Sequence, residues 1–319
     1  DAGLVLGAEQ TAWLADNGVA FTADQLKFVA GAEPSATVRA IYTPDGFVDA
    51  VDADGGQPLG LVLDRTSFFS EAGGQVPDVG SLVVEGGSFE VRDVQSFGGY
   101  VLHIGTLKSG SLSTGESMSC EVDYDRRSLI ANSHTLTHVI NLALHQVLGD
   151  GVSQKGSLVD DTKARFDFSH GKAMTTKECE TVEKIVQEHV ATALPVHIET
   201  VPLDKALEIN NLRAVFGERY PDPVRVVSIG PTVPELLAEP ESSEWEKYSI
   251  ELCGGTHIPD TAKMAQFALV EESAVAKGVR RVVGVTGALA AEASATGAAL
   301  KERMATLEAL DLDKAAAEL

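Results

Sequence analysis

Two short stretches carry the residues best suited to chemistry. Ser133-His134-Thr135-Leu136-Thr137-His138 sets two imidazoles four residues apart inside an apolar-periodic segment, Leu129 to Leu148. In a helix that spacing advances about 400° and about 6 Å, so both rings leave one face a turn apart, as a single metal ion requires. Cys253-Gly254-Gly255-Thr256-His257 adds a thiol and a third imidazole, with two glycines that let the backbone fold tightly around an ion. His134, His138, Cys253 and His257 together make a tetrahedral zinc set. Each pair alone has a plainer reading, since two such histidines can be satisfied core residues and Cys253 a small buried hydrophobe. The two pairs together favour zinc, and only a fold can join them. His145 shares the helix face but lies two turns beyond His138, about 10 Å along the axis, too far to join the same ion.

The elements that must position these residues emerge from composition and pattern. The chain has 319 residues, 44% hydrophobic and 23% charged, as expected of a folded protein of two or three domains. No apolar run approaches the roughly 20 residues of a membrane span, and no secretory leader is visible. Three scattered cysteines, Cys120, Cys179 and Cys253, do not make a disulfide framework, which points to a reducing compartment: the cytoplasm first, with an organelle left open. A formal net charge of −22 argues against broad non-specific phosphate binding, so any RNA contact must use local basic patches. The start at Asp1 rather than Met suggests a piece of a longer chain.

Residues 1–35 read as a helical lead-in: a short helix at Ala8 to Leu14 stopped by Asn17-Gly18, a second turn opened by Thr22, and Trp13, Phe21 and Phe28 available to pack on the next domain. Residues 36–123 hold many short strands punctuated by Gly-rich turns, including Gly55-Gly56, which argues a small β-barrel or sandwich. Thr66 to Gln75 is either a ligand-presenting loop or a barrel strand ending in a glycine turn, and the second is favoured. From Arg126-Arg127 the period turns helical. A capping box at Thr175 to Glu178 opens a helix whose face includes Val182, Val186 and Val190. Pro234 to Tyr248 reads as an exposed acidic loop, and Ala265 to Val270 with Val279 to Val285 as a strand pair. Without a βαβ rhythm, residues 124–290 are α+β. The Ala/Glu/Leu/Lys-rich stretch 291–319 reads as a solvated helix or the root of a coiled coil.

Assembled, these residues resemble the editing portion of alanyl-tRNA synthetases of the eukaryotic type. The markers are Thr66 to Gln75, the His134-to-His138 helix, Gln154-Lys155-Gly156-Ser157-Leu158-Val159, Arg165-Phe166-Asp167-Phe168, Tyr220 to Val226, Cys253 to His257 and Gly278-Val279-Arg280-Arg281. The paired HxxxH and CxxxH also occur in threonyl-tRNA synthetase editing domains and in free-standing alanyl editing proteins. The resemblance implies an N-terminal β-barrel, an α+β editing domain and a C-terminal helix leading to an oligomerising or tRNA-guiding region. It implies hydrolysis of seryl- or glycyl-tRNA(Ala), with Zn2+ as cofactor and the rest of the synthetase chain as partner. Leu136 stands where many relatives carry Ala, and Phe69-Ser70 where Tyr-Ala is usual. The glycine-rich class II aminoacylation signature is absent; Phe216-Gly217-Glu218-Arg219 echoes it only superficially.

On this resemblance Thr137, otherwise an exposed helix threonine, reads the seryl hydroxyl or excludes the alanyl methyl. Gln154 hydrogen-bonds substrate or water. Arg126, Arg127, Lys155, Arg165, Lys277, Arg280 and Arg281 are the candidate tRNA contacts, each alone an ordinary surface charge. Four protein ligands close a zinc shell structurally, whereas catalysis requires an open position. A non-catalytic tRNA-binding module with structural zinc, and a free-standing editing protein, are the competing readings.

Overall fold

The computed structural model describes residues 3–53, 56–215 and 217–308; Asp1, Gly55, Phe216 and the helix expected over 309–319 lie outside the described residues. The chain divides into two compact units, Asp1–Ile130 and Ala131–Leu319.

In the first unit α1 (Ala8–Asp16) and a 3-10 turn precede nine strands: β1 (Ser35–Thr43), β2 (Gly46–Val48), β3 (Ala50–Asp52), β4 (Leu59–Leu63), β5 (Gly80–Val84), β6 (Gly87–Phe97), β7 (Tyr100–Ser109), β8 (Ser111–Ser113) and β9 (Ser117–Val122). Antiparallel pairing runs β1-β4-β7-β6-β5-β9, and the start of β1 pairs back onto β9, with Ala36 opposite Met118. Six strands therefore close into a barrel, which removes their unpaired edges. Val38, Leu61, Leu82, Phe89, Val91 and Met118 fill its interior. Strand β6 bulges between Val91 and Asp93, against Gly105 of β7. A Cβ at Gly105 would run into the Glu90 carbonyl, so only glycine lets the strands close there.

The Thr66–Gln75 stretch corrects the favoured reading. It is irregular rather than a strand, although its glycine turn is real, with Gly73 and Gly74 at φ +58° and +82°. Phe68 and Phe69 are fully buried, and Phe68 belongs to the barrel core, so these aromatics hold the loop down. The lead-in packs on the barrel: Trp13 stacks on Phe47 at 4.0 Å and Phe21 meets Tyr100 edge-on at 5.1 Å. Thr22 opens no helix; its hydroxyl donates to the Leu63 carbonyl and accepts from the Val101 N–H.

Helix α2 (Tyr124–Leu148) begins in the first unit and carries its histidines in the second. Its cap lies before Arg126-Arg127, because the Asp123 carboxylate accepts from the Arg126 N–H. There follow β10 (Gln154–Val159), β11 (Ala164–Ser169), α3 (Thr176–Thr192), β12 (Val196–Val201), α4 (Leu203–Leu207), β13 (Leu212–Arg213), β14 (Val224–Ile229), α5 (Val233–Ala238), β15 (Ser249–Leu252), β16 (Phe267–Ala276), β17 (Val279–Thr286) and α6 (Gly287–Glu308). The strands form two four-stranded sheets, β10-β11-β17-β16 and β12-β14-β15-β13. Leu136, Val139 and Ile140 of α2 share a core with Val182, Val186 and Val190 of α3 and with Phe166, Phe168 and Val282 of the first sheet. Gly284 of β17 permits this approach, since a Cβ there would stand 2.6 Å from Phe267 and 3.0 Å from Ile140. Leu136, fully buried, helps fill the same contact.

The expected exposed loop at Pro234 to Tyr248 is overturned in part. It contributes α5 and a 3-10 turn, and Val233 and Leu236 are fully buried. Thr232 and Glu235 form a reciprocal capping box that starts α5, a signal present in the sequence beneath the acidic composition. The α+β class, the barrel, the further sheets and the C-terminal helix stand as expected.

Candidate metal centre

Residues 133–144 of α2 are buried on every side, so its polar side chains must find partners within the protein. His134 and His138 project from it one turn apart, with ring centroids 5.4 Å apart and planes 14° from parallel. Strand β15 leads out of the second sheet into Cys253, and the chain turns back to present His257. The His257 ring centroid lies 4.7 Å from His134 and 4.9 Å from His138. One ligand atom from each of His134, His138, Cys253 and His257 falls within 4.8 Å of all the others. The fold brings together the two pairs that the sequence separates by more than a hundred residues.

The surroundings assign which ring atoms face the centre. The Thr135 hydroxyl donates to the Ala131 carbonyl at 2.9 Å and accepts from the Ile258 N–H. It can therefore only accept from Nδ1 of His257, 3.2 Å away, which leaves the lone pair of that ring on Nε2. On His138, Nδ1 lies 2.6 Å from the Glu251 carboxylate in a short contact that is not aligned as a full hydrogen bond. Nε2 of His138 and Nε2 of His257 are buried without a hydrogen-bond partner. Two orphaned imidazole nitrogens beside a thiol suit a metal ion, which would satisfy both.

Electrostatics agree with that donor set. Burial pushes the Cys253 thiol up, but the imidazoles of His134, His138 and His257 outweigh it and hold the thiol well below its ordinary value. Burial alone would lower His138, yet Glu251 and Cys253 favour its protonated form and raise it to about 10. Burial brings His257 down to about 3. A thiol held toward the thiolate is the form that ligates a metal ion. Arg225 of β14 braces the turn, Nη1 donating to the carbonyls of Cys253 (3.1 Å) and Gly255 (2.6 Å). The Gly255 N–H lies 3.3 Å from the Cys253 sulfur as donor. Gly254 has open space where a Cβ would stand and no left-handed backbone, so tight folding does not account for it.

The other expected site residues are scattered. Thr137 is buried rather than exposed, its hydroxyl donating to the Ser133 carbonyl at 3.0 Å. Gln154 opens β10 opposite Phe168. Lys155 and Lys277 are exposed. Arg281 makes a two-point pair with Asp167 (2.7 and 2.9 Å), with Arg165 3.8 Å from the same carboxylate, and Arg280 pairs with Glu272. Arg126 donates to the Pro77 carbonyl. Arg127 corrects its expectation as a surface charge: it is buried against Asp78 and donates to the carbonyls of Ser67 and Lys27, so it braces the barrel unit. Glu251, Asn141, Thr135 and Arg225 were missed by sequence reasoning. Glu251 and Arg225 were nonetheless marked, as charged residues inside otherwise apolar strands.

A family model described as tRNA synthetases class II (A) matches residues 10–126, and one described as Threonyl and Alanyl tRNA synthetase second additional domain matches residues 224–283. The second match takes in Arg225, Glu251, Cys253 and His257. The mitochondrial alanine–tRNA ligase of Saccharomyces cerevisiae is 44% identical over 311 residues, covering 97% of this chain and 31% of the relative. The cytoplasmic enzyme of Dictyostelium discoideum is 45% identical over 295 residues, 91% of this chain and 31% of the relative. The alanine–tRNA ligase of Candida albicans is 50% identical over 253 residues, 79% of this chain and 26% of the relative. Sustained along nearly the whole sequence, this identity places the chain in the alanyl-tRNA synthetase family, of which it spans 26–31% of the length of these relatives.

Proposed function

We propose that this segment edits mischarged tRNA(Ala), hydrolysing the ester of seryl- or glycyl-tRNA(Ala), with zinc held by His134, His138, Cys253 and His257. The observation that carries the reading is the convergence of these four side chains, two with orphaned buried nitrogens, in a chain of this family. Bound zinc would supply electrophilic polarisation at neutral pH.

The chain's own residues bind and orient. Thr135 holds His257 from the helix side, and Arg225 holds the turn that carries Cys253. The Thr137 hydroxyl, its proton given to Ser133, keeps its acceptor lone pairs for a seryl hydroxyl. Serine then makes a hydrogen bond that alanine cannot, the favourable direction for discrimination. Gln154 is retained as a substrate- or water-binding residue. For tRNA, Lys155 and Lys277 are the most accessible phosphate contacts; Arg126, Arg165, Arg280 and Arg281 remain candidates, each already engaged in the protein. Arg127 is left out of this set.

The remainder of the synthetase and a second chain are the proposed protein partners. Leu300, Met304 and Leu307 of α6, spaced by four and three residues and all exposed, support association through that helix. Curated relatives are described as mitochondrial and cytoplasmic, and either compartment suits the proposal. Among the described residues no helix is long and apolar enough to cross a membrane.

The test is deacylation of seryl-, glycyl- and alanyl-tRNA(Ala) by the purified chain beside His134→Ala/Cys253→Ala. Loss of the seryl or glycyl ester alone, abolished in a variant that stays folded, is the expected result. No hydrolysis by folded, zinc-loaded chain would instead favour the binding-module reading, which the four-ligand shell also fits.

A further inference from the structure

We infer that Glu251, oriented by Asn141, is the positioning residue of the metal centre: its carboxylate turns the His138 ring so that Nε2 faces the ion, and its charge offsets the positive charge buried there. The inference rests on the reading that the cluster holds zinc.

Glu251 sits in β15 between Ile250 and Leu252, in a strand buried along its whole length, and is only 7% exposed. A carboxylate in such a place requires a compensating charge or donor. Two of its partners lie on the same helix. Oε1 accepts from Nδ2 of Asn141 at 2.8 Å, and Oε2 lies 2.6 Å from Nδ1 of His138. Asn141 follows His138 by three residues, so both reach β15 from one face of α2. With Nδ1 against the Glu251 carboxylate, His138 has Nε2 left for the centre, and that atom is buried without a hydrogen-bond partner. A divalent ion with one thiolate and three neutral imidazoles carries a single net positive charge. Glu251, two residues before Cys253, is a buried acidic group in contact with a ligand and offsets that charge.

Asn141 sets the carboxylate's direction, and its role differs from that of Glu251 in a measurable way. Replacing Glu251 with Gln keeps an oxygen for Asn141 but removes the charge. Replacing Asn141 with Ala keeps the charge and frees its orientation.

The experiment titrates zinc against a chromophoric chelator, and separately Co2+ by its visible absorption, in wild type, Glu251→Gln, Glu251→Asp and Asn141→Ala. Each variant's unfolding midpoint in urea is recorded alongside. Glu251→Gln is expected to bind zinc about 10- to 100-fold more weakly, as loss of an outer partner to a metal-bound histidine usually does. Its Co2+ band should also shift. Glu251→Asp should recover part of the affinity, and Asn141→Ala should lose less than Glu251→Gln. A folded Glu251→Gln with wild-type zinc affinity and an unshifted Co2+ band would overturn the proposal, whatever its unfolding midpoint. If Glu251→Gln does not fold, Asn141→Ala decides, and undiminished affinity there overturns it. Failure of the wild type to bind either ion is a distinct result, which removes the zinc reading itself.

Discussion

Buried histidines occur in both units, and their surroundings separate two uses of the same side chain. In the barrel, His103 is fully buried with both ring nitrogens occupied by protein. Nδ1 lies 3.1 Å from the Leu61 carbonyl, which can only accept, and Nε2 takes the Thr66 hydroxyl at 2.7 Å. Nothing is left over, and burial holds the ring neutral by lowering its pKa to about 4. In the second unit His138 and His257 each have one nitrogen turned to the protein and the other left bare toward a common point. A core histidine is one whose hydrogen bonds are complete; a ligand is one the protein leaves half satisfied in a chosen direction.

The comparison would break most visibly at the ligands themselves. Cys253→Ala should lower zinc affinity by more than about 10²-fold, beyond what any outer partner contributes, while His103→Asn leaves bound zinc unchanged by elemental analysis. Equal zinc loss in both would mean that the distinction is false. Next in size is the buried ion pair of the first unit. Arg127→Met strands the Asp78 carboxylate and should cost about 3–5 kcal/mol in urea unfolding, with zinc content intact.

The pH response sharpens the contrast further. His103 has a folded pKa of about 4 against an ordinary 6.5 in the unfolded chain, so its contribution is fully present above about 6.5. Between 6.5 and 4 the unfolded chain takes up a proton that the folded chain refuses, and stability falls as pH falls. The loss should approach roughly 3 kcal/mol by about pH 4. Urea midpoints at about pH 7 and about pH 5 should differ less in His103→Asn than in wild type. The smallest expected effect is at Thr135, which touches a ligand without being one. Thr135→Val removes the acceptor for Nδ1 of His257 and should weaken zinc by about tenfold, measured by chelator competition.

Much of the architecture was legible because local chemistry specifies it. The Thr175 capping box and the Val182, Val186 and Val190 stripe write α3 into the sequence, and the short strands between glycine turns write the barrel. Where two local signals competed, composition misled. Acidic residues hid the capping box of α5, and Thr66 to Gln75 reads as a strand ending in a glycine turn where Phe68 and Phe69 instead anchor an irregular loop.

The candidate site divides the same way. The sequence alone marked its four candidate ligands, because metal coordination demands particular atoms at particular spacings, and HxxxH with CxxxH meets that demand within two short segments. Only the tertiary structure decided which atoms of those residues face inward and which groups they meet. Glu251 reaches His138 from a distant strand, Arg127 turns out to be buried on Asp78, and Thr135 finds His257. Such partnerships depend on burial and on distance through space. A single sequence displays the groups that require a partner, and the packing of α2 against β15 and its turn determines which partner each one meets.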